Sequence, residues 1–283
     1  MDILLFLAKR FIAGETFEQA KVVVKGLNDA GFLVTLDMLG ESVTSKGQAE
    51  RARDSYIQLL GDIYKLALNS TISLKLTQMG LDIDDAYCCE NIMKIAEAAV
   101  NYKNFVRLDM EGSGYTQRTI DIFKKIHEVY PENIGMAIQS YLYRSKKDTA
   151  HAMENRHRIR LCKGAYKEPP DIAYPDKMDV NKSFEDIMKE LLLKGNYPAI
   201  ATHDERLINI AKTFARENNI SPDGFEFQML YGIRRNLQKK LLSEGYRIRI
   251  YVPYGRYWLP YTIRRVRERK ENLFFVLKNI FRR

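Results

Sequence analysis

The chain has 283 residues, of which 46% are hydrophobic and 29% are charged. These proportions are typical of a globular protein, and they exclude a disordered, collagenous or disulfide-stapled chain. No stretch approaches the roughly 20 consecutive apolar residues that a membrane-spanning helix needs. The three cysteines, Cys88, Cys89 and Cys162, show no CxxC spacing. This predicts a reducing compartment and no metal site of the zinc type.

The formal net charge is +9, and it is concentrated near the C-terminus. Residues 231–283 contain 15 Lys and Arg against 3 Asp and Glu, whereas the rest of the chain contains 45 − 15 = 30 against 36 − 3 = 33. A basic segment indicates an anionic partner, which could be a phosphate-bearing cofactor, a membrane surface or a nucleic acid. A solvated helix face is the alternative interpretation.

The first residues, 1–9, have an acidic residue where a signal peptide carries a base, so we interpret them as an amphipathic helix of a cytoplasmic protein. Eight short runs rich in Val, Ile, Leu, Phe and Tyr follow, and we predict a strand at each. These strands are 32–38, 72–77, 105–110, 134–139, 158–163, 198–202, 225–229 and 247–252. Apolar residues at helical spacing predict helices at 47–68, from 84 onward, and at 116–129, 181–193, 204–217, 231–242 and 261–281.

Eight strand–helix units in about 250 residues predict an α/β protein with a (β/α)₈ barrel of the TIM type. A doubly wound open sheet is the structural alternative. We expect a single domain over residues 1–283, with N-terminal helices in 1–30 as an extension and a basic C-terminal helix at 261–283. Three prolines between the fifth and sixth strands predict a loop over one face of the barrel.

The active site of such a barrel lies at the C-terminal ends of its strands. Polar side chains occur there on seven strands: Lys75, Asp109, Gln139, Arg160 with Lys163, Thr202 with His203, Gln228, and Tyr251. Each could be a satisfied polar group of the barrel rim, but seven together predict a binding site. No GxGxxG, Walker, HExxH or GxSxG motif is present, and the four histidines do not suggest a metal site.

Several ordered motifs resemble the proline dehydrogenase family. The segment RLCKGAY at 160–166 and the pattern YTIRRVRE at 261–268 carry most of the resemblance. Five more segments lie in the expected order: SLKL (73–76), LDME (108–111), ATH (201–203), FQML (227–230) and RIYVP (249–253). The length is similar to that of the single-function bacterial or archaeal enzymes.

The resemblance implies a distorted (β/α)₈ barrel that binds FAD and oxidises L-proline to Δ1-pyrroline-5-carboxylate by hydride transfer to the flavin. This reaction is the first step of proline catabolism to glutamate, and the electrons pass to a quinone. The resemblance assigns the substrate to Lys75, Asp109, Tyr251, Tyr261, Arg264 and Arg265. It assigns FAD to Gln139, Arg160, Lys163, Gly164, Ala165, Tyr166, Thr202, His203, Gln228, Arg265 and Glu268.

Because a quinone lies in the bilayer, we predict peripheral contact with an anionic membrane, at the inner face of the plasma membrane, through the basic C-terminal helix. Two other functions fit parts of the sequence. A barrel enzyme acting on a phosphorylated metabolite would use the paired cations as phosphate ligands. A nucleic-acid-binding module would use the basic C-terminus, but it lacks obvious aromatic stacking platforms, and we predict no nucleic-acid partner.

Overall fold

The computed structural model describes residue 8 and residues 10–268; for residues 264 and 266–268 it describes the backbone alone. Eight parallel strands form a closed barrel. The strands are β1 (Leu33–Met38), β2 (Ser70–Leu74), β3 (Val106–Leu108), β4 (Ile134–Gln139), β5 (Arg158–Cys162), β6 (Ala199–Ala201), β7 (Glu226–Leu230) and β8 (Ile248–Tyr254). The helices are α1 (Phe17–Asp29), α2 (Lys46–Lys65), α3 (Asp85–Asn101), α4 (Ser113–Val129), α5 (Ser145–Glu154), α6 (Lys177–Lys194), α7 (Glu205–Glu217), α8 (Arg235–Ser243) and α9 (Trp258–Glu268).

The predicted (β/α)₈ barrel is confirmed. The open-sheet alternative is wrong, because β1 pairs in parallel with β8 as well as with β2 and so closes the sheet. All eight predicted strands are present, although β3 and β6 are only three residues long. Short 3-10 helices at Thr77–Met79 and Pro222–Gly224 were not predicted.

One α-helix was missed by sequence reasoning. Helix α5 has the sequence SKKDTAHAME, and its buried residues are Ser145, Thr149 and Ala152. Because two of these three are polar, the helix has no apolar periodicity to reveal it. Its buried hydroxyls instead form hydrogen bonds. The Ser145 hydroxyl donates to the carbonyl of Gln139, and the Thr149 hydroxyl donates to the carbonyl of Ser145.

The structure describes only part of each predicted terminal helical region. Helix α1 lies within the predicted N-terminal extension, while residues 1–7 and 9 lie outside the described residues. The predicted C-terminal helix begins three residues early, in α9, and residues 269–283 lie outside the described residues. The domain boundaries stay a prediction. Among the residues that the structure describes, no helix is both long enough and apolar enough to cross a bilayer.

The hydrophobic core lies between the barrel and the helices that surround it. Alternate strand residues point outward, and on β1, β2 and β3 these are apolar residues: Val34, Leu36, Ile72, Leu74, Val106 and Leu108. They pack with helix residues such as Tyr56, Phe123 and Phe184, all of which are fully buried. The opposite set of strand residues points into the barrel, and this set is mostly polar.

The segment before α1 crosses the C-terminal end of the barrel and is fixed there by its backbone. The amide of Ala13 donates to the carbonyl of Pro253 at 2.8 Å, and the amide of Gly255 donates to the carbonyl of Gly14 at 3.0 Å. The carbonyl of Arg10 packs against Gly232, which has a φ of +78°. A Cβ atom at residue 232 would overlap the Arg10 carbonyl oxygen. Only glycine satisfies both constraints.

We therefore expect Gly232→Ala to destabilise the protein. Left-handed backbone strain costs about 1–3 kcal/mol, and the overlap with Arg10 adds to it. The matched control is Gly114→Ala, because a Cβ atom at this position in α4 would meet no heavy atom within 4 Å. The control should leave the free energy of unfolding unchanged or raise it by about 0.4–1 kcal/mol. Urea denaturation followed by circular dichroism measures both; equal midpoints for the two variants would contradict the packing described above.

Candidate active site

The interior of the barrel is filled by polar side chains rather than by the branched aliphatic residues usual in this fold. Small residues on two strands make space for them: Gly135 and Ala137 on β4, and Ala199 and Ala201 on β6. A Cβ atom at Gly135 would overlap the guanidinium of Arg107. The long arginine side chains of β3 and β5 therefore depend on the small residues of their neighbouring strands.

Asp109, directly after β3, is the centre of this polar interior. Its Oδ1 accepts hydrogen bonds from Arg160 Nη1 at 2.5 Å and from Ser73 Oγ at 2.5 Å. Its Oδ2 accepts a hydrogen bond from the hydroxyl of Tyr251 at 2.7 Å. Arg160 also donates through Nε to Gln228 Oε1 at 2.5 Å, and its guanidinium lies 5.4 Å from the centre of the Tyr251 ring. Side chains of four strands or strand ends thus meet at one carboxylate, and Arg160 extends the network to a fifth strand through Gln228.

The charge state of this group follows from its surroundings. Burial alone would raise the pKa of Asp109, but Arg160, Lys75 and two hydrogen bonds outweigh burial and hold that pKa below its ordinary value. Burial and the nearby Asp109 carboxylate raise the pKa of Tyr251 well above its ordinary value. The carboxylate is therefore ionised and the Tyr251 hydroxyl remains a neutral hydrogen-bond donor at neutral pH.

A second acid–base pair lies next to Asp109. Lys75 Nζ donates to Asp37 Oδ2 at 3.4 Å, and both side chains are buried. Burial opposes the charge on Lys75, but Asp37 and Asp109 outweigh it and raise the lysine pKa. Burial raises the pKa of Asp37 in spite of Lys75. The other oxygen of Asp37, Oδ1, is buried and accepts no hydrogen bond from the described part of the chain.

The sequence analysis assigned no role to Asp37 or to Glu111. Asp37 is the only charged residue of β1, and it follows Thr35 at the two-residue spacing of an inward face, which is the signal that could have found it. Glu111 accepts hydrogen bonds from the amide and the hydroxyl of Thr77, at 3.1 and 2.7 Å. It thereby fixes the turn that follows Lys75.

The residues predicted to bind the cofactor form an arc along the ends of β4 to β7. Gln139 donates to the carbonyl of Glu111 at 2.9 Å, and Lys163 pairs with Asp204 at 2.9 Å. Asp204 caps α7 through the amide of Arg206, and its own amide donates to Thr202 Oγ1 at 3.1 Å. Further along the arc, His203 Nε2 accepts a hydrogen bond from the amide of Leu230 at 2.8 Å. The arc is held together by backbone and side-chain contacts of neighbouring strand ends.

The loop after Lys163 is fixed by two contacts. Gly164 has a φ of +114° and lies against the ring of Tyr141, with which a Cβ atom would overlap. Glu168 accepts hydrogen bonds from the amide and hydroxyl of Ser113, at 2.7 and 2.5 Å, and lies 3.3 Å from the Tyr141 hydroxyl. Between these contacts Ala165 is exposed and Tyr166 is half-buried.

Helix α9 carries the last group of predicted residues. Tyr261 is buried in a small apolar cluster with Leu39, Ile233 and residues of the N-terminal segment. Arg265 lies one turn later, with its guanidinium 5.2 Å from the centre of the Tyr261 ring. The backbone of Arg264 and Glu268 belongs to the same helix, but their side chains lie outside the described residues.

The structure therefore brings most of the predicted residues to one end of the barrel. Lys75, Asp109, Arg160, Gln228 and Tyr251 form a connected group, and the remaining residues lie on the surrounding strand ends and loops. The set contains buried cations, a fixed carboxylate and aromatic rings. Such a set suits a small anionic substrate next to a redox cofactor with phosphate groups.

Comparison with known proteins agrees with this geometry. The family model described as "Proline dehydrogenase" matches residues 20–278. The chain belongs to the proline dehydrogenase family. The resemblance stated from the motifs is thus confirmed, and the barrel is that of an enzyme.

Individual proline dehydrogenases match along almost the whole chain. "Proline dehydrogenase 2" of Bacillus subtilis is 42% identical over 273 residues, which is 96% of this chain and 90% of the relative. "Proline dehydrogenase" of Deinococcus radiodurans is 40% identical over 280 residues, covering 98% and 90% of the two chains. Proline utilization A of Bdellovibrio bacteriovorus, solved after inactivation by N-propargylglycine, superposes with a TM-score of 0.88 at 26% identity. It covers 93% of this chain and 32% of that much longer one.

The Asp109 network predicts a large effect of Asp109→Asn on stability. Removing the carboxylate charge leaves Arg160 buried without its ion-pair partner, and breaking a buried pair in this way costs about 3–5 kcal/mol. Guanidinium denaturation followed by circular dichroism measures the difference. The control is Asp121→Asn on the exposed face of α4, which should change the free energy of unfolding by less than about 0.5 kcal/mol.

The same variant has a defined pH dependence. A carboxylate whose folded pKa is lowered adds stability above its unfolded pKa of about 3.9, and this contribution is lost as pH falls through the folded pKa. The difference in the free energy of unfolding between the wild-type protein and Asp109→Asn should therefore be largest at neutral pH and should decrease below about pH 4. A gap that is constant between pH 7 and pH 3 would show that Asp109 is not ionised in the folded protein.

Proposed function

We propose that this enzyme oxidises L-proline to Δ1-pyrroline-5-carboxylate with FAD as its cofactor and a quinone as the final electron acceptor. The observation that carries the proposal is the connected group of Lys75, Asp109, Arg160 and Tyr251 at the C-terminal end of the barrel. It lies within the stretch that matches the proline dehydrogenase family, and it is the region where barrels of this type bind their substrates.

The substrate residues fit the two ends of proline. Its carboxylate requires cations, and Lys75 and Arg265 supply them, with Arg264 as the third expected cation. Lys75 has three donor hydrogens and uses one for Asp37 at 3.4 Å, so donors remain for a carboxylate. The apolar ring requires walls, and we assign these to Tyr251 and Tyr261. Asp109 holds Tyr251 and Arg160 in place for this contact.

The cofactor residues fit the chemistry of FAD. Arg160 is a buried cation near the substrate residues, where it would stabilise negative charge on a reduced ring. Lys163, Thr202 and His203 suit phosphate and ribose oxygens, together with Gln139 and Gln228 as neutral donors. Gly164, Ala165 and Tyr166 form the adjacent loop, and we assign Arg265 and Glu268, which belong to α9, to the same cofactor. FAD, when bound, supplies the acceptor of the two electrons that proline loses.

Proline must lose a proton from its nitrogen before oxidation, because a cationic amine disfavours hydride loss from the adjacent carbon. The cations around the expected substrate attract its carboxylate, and the Tyr251 hydroxyl stays neutral. The chain therefore supplies orientation and electrostatics rather than a covalent intermediate.

The visible spectrum of the purified protein tests this proposal. We expect an absorption band at about 450 nm from bound flavin, bleached by anaerobic addition of L-proline and restored by a soluble quinone. A protein without this band, or a band that proline does not bleach, would overturn the proposal. The phosphorylated-metabolite alternative predicts a colourless protein.

A pair of variants tests the substrate assignment in the same experiment. Arg265→Met should raise the proline concentration for half-maximal bleaching about 10- to 150-fold, since a charge-assisted contact contributes about 1.5–3 kcal/mol. The control is Arg256→Met, because Arg256 is exposed in the turn before α9 and should leave this concentration unchanged. Equal behaviour of the two variants would remove Arg265 from the substrate site.

We also propose that the enzyme works in the cytoplasm, at the inner face of the plasma membrane, where a quinone is accessible. The support is a patch at the start of α9 that exposes three large apolar side chains beside Arg256: Tyr257, Leu259 and Ile263. The basic segment that follows would attract an anionic lipid surface. Cys88, Cys89 and Cys162 are all free thiols, as a reducing compartment requires.

Co-sedimentation with vesicles tests the membrane contact. At low salt we expect binding to anionic vesicles, no binding to neutral vesicles, and several-fold weaker binding when Tyr257 and Leu259 are both changed to Ser. High salt should weaken binding of the wild-type protein. The control is Val22→Ser, which removes an equally exposed apolar side chain from α1. Absence of binding to anionic vesicles at low salt would contradict the contact, and it would leave the flavin chemistry above untouched.

A further inference from the structure

The opposite end of the barrel, at the N-terminal ends of the strands, contains a surplus of positive charge. Buried Arg107 and half-buried Arg158 and Arg249 lie there, and among the described residues Glu226 is the one buried acid at this end. Arg249 forms a two-pronged ion pair with Glu226, through Nε to Oε1 at 2.7 Å and through Nη2 to Oε2 at 3.0 Å. Arg249 and its hydrogen bonds outweigh burial and hold the pKa of Glu226 below its ordinary value, so this pair is neutral overall.

The other two arginines form no ion pair with any acid in the described part of the chain. Arg107 donates to the carbonyl oxygens of Met136 at 3.3 Å and Arg158 at 2.5 Å. Burial lowers the pKa of Arg107 well below its ordinary value, and neighbouring arginines add to this effect. A buried charge without a counter-charge is costly, so the buried Arg107 and the half-buried Arg158 beside it require an explanation.

Arg158 is stacked between two aromatic rings. Its guanidinium lies 4.3 Å from the centre of the Phe105 ring and 5.1 Å from that of Tyr197. Its Nε is buried and has no hydrogen-bond partner among the residues that the structure describes. A guanidinium with rings on its faces can donate only along its edge, and an edge with parallel N–H groups matches an oxyanion.

This end of the barrel opens into a cavity of about 690 Å³. Arg158 lines it, together with Lys103 and the asparagines Asn69, Asn104 and Asn133. Two of these asparagines have fixed side chains. The Asn133 amide donates to the carbonyl of Asn104 at 2.9 Å, and the Asn104 amide donates to the carbonyl of Ser70 at 3.0 Å. Glu132 is the one acid among the described residues that line the cavity, and it is exposed. The cavity is within the size range of small-molecule sites.

We propose that this cavity binds a small oxyanion, a phosphate or a carboxylate, through Arg158 and Lys103. The site lies at the end of the barrel opposite the candidate active site and does not rest on the proposed function. The bound anion supplies the missing counter-charge for Arg107 and Arg158 and stabilises the fold by mass action. The competing interpretation is that the carbonyl-rich C-terminal ends of the surrounding helices α2, α3 and α4 already offset the cations.

Anion titrations of the purified full-length enzyme separate the two interpretations. Isothermal titration calorimetry and thermal unfolding are measured with inorganic phosphate, sulfate and acetate, while sodium chloride keeps the ionic strength constant. We expect saturable binding and a matching rise in Tm for at least one of these anions. Tighter phosphate binding identifies a phosphate site, and tighter acetate binding identifies a carboxylate site. A response that follows ionic strength alone overturns the proposal.

The variants place the binding in this cavity. Arg158→Met should weaken anion binding about 10-fold or more. Arg158→Lys should weaken it less, because lysine keeps the positive charge but lacks the paired N–H donors of the guanidinium. The control is Arg216→Met in the last turn of α7, which removes an exposed cation from the same end of the barrel. Equal affinities of Arg158→Met and Arg216→Met overturn the assignment.

If Arg158→Met does not fold, Lys103→Met decides the question. Lys103 is exposed, so its replacement leaves the core intact. We expect a several-fold loss of anion affinity, and wild-type affinity in this variant overturns the site.

Discussion

The ion pair between Asp109 and Arg160 is the interaction on which the barrel interior depends. The carboxylate also accepts the hydroxyls of Ser73 and Tyr251, so that it joins β2, β5 and β8 across the barrel to the end of β3. In a low-dielectric interior such bonds strengthen one another, and each would be costly to leave unmade. The network therefore orders the residues that face the candidate substrate.

The two ends of the barrel solve the problem of buried charge differently. At the C-terminal end, acids and bases alternate: Asp37 with Lys75, and Asp109 with Arg160. At the N-terminal end, arginines outnumber acids, and carbonyl oxygens and aromatic rings take the place of carboxylates. The first arrangement suits a site that must change its charge during a reaction, and the second leaves room for an anion that does not react.

The sequence predicted the fold well because its signals were local. Eight β-rich runs separated by helical patterns were enough for the barrel, and the helices predicted from 84 onward and at 204–217 begin directly after Asp84 and Asp204, whose side chains cap them. Helix α5 was missed because tertiary contacts, not an apolar stripe, hold its buried face. Asp37 was missed because a single acid in an apolar strand becomes informative only when its partner, Lys75, is known to lie beside it.

By itself, then, the sequence determined the order of the strands and helices, the family, and the residue types that reach one end of the barrel. Inward and outward faces follow from the two-residue period of a strand, and this too is local. Only the tertiary structure decided which charges neutralise each other. Asp109 and Arg160 lie 51 positions apart in the sequence, and Phe105 and Arg158 have a similar sequence separation. No local spacing rule links residues that are so far apart in the sequence. Barrel closure brings side chains that are distant in the sequence close together in space. Their charges then interact directly, and these contacts decide which charges at each end of the barrel neutralise each other.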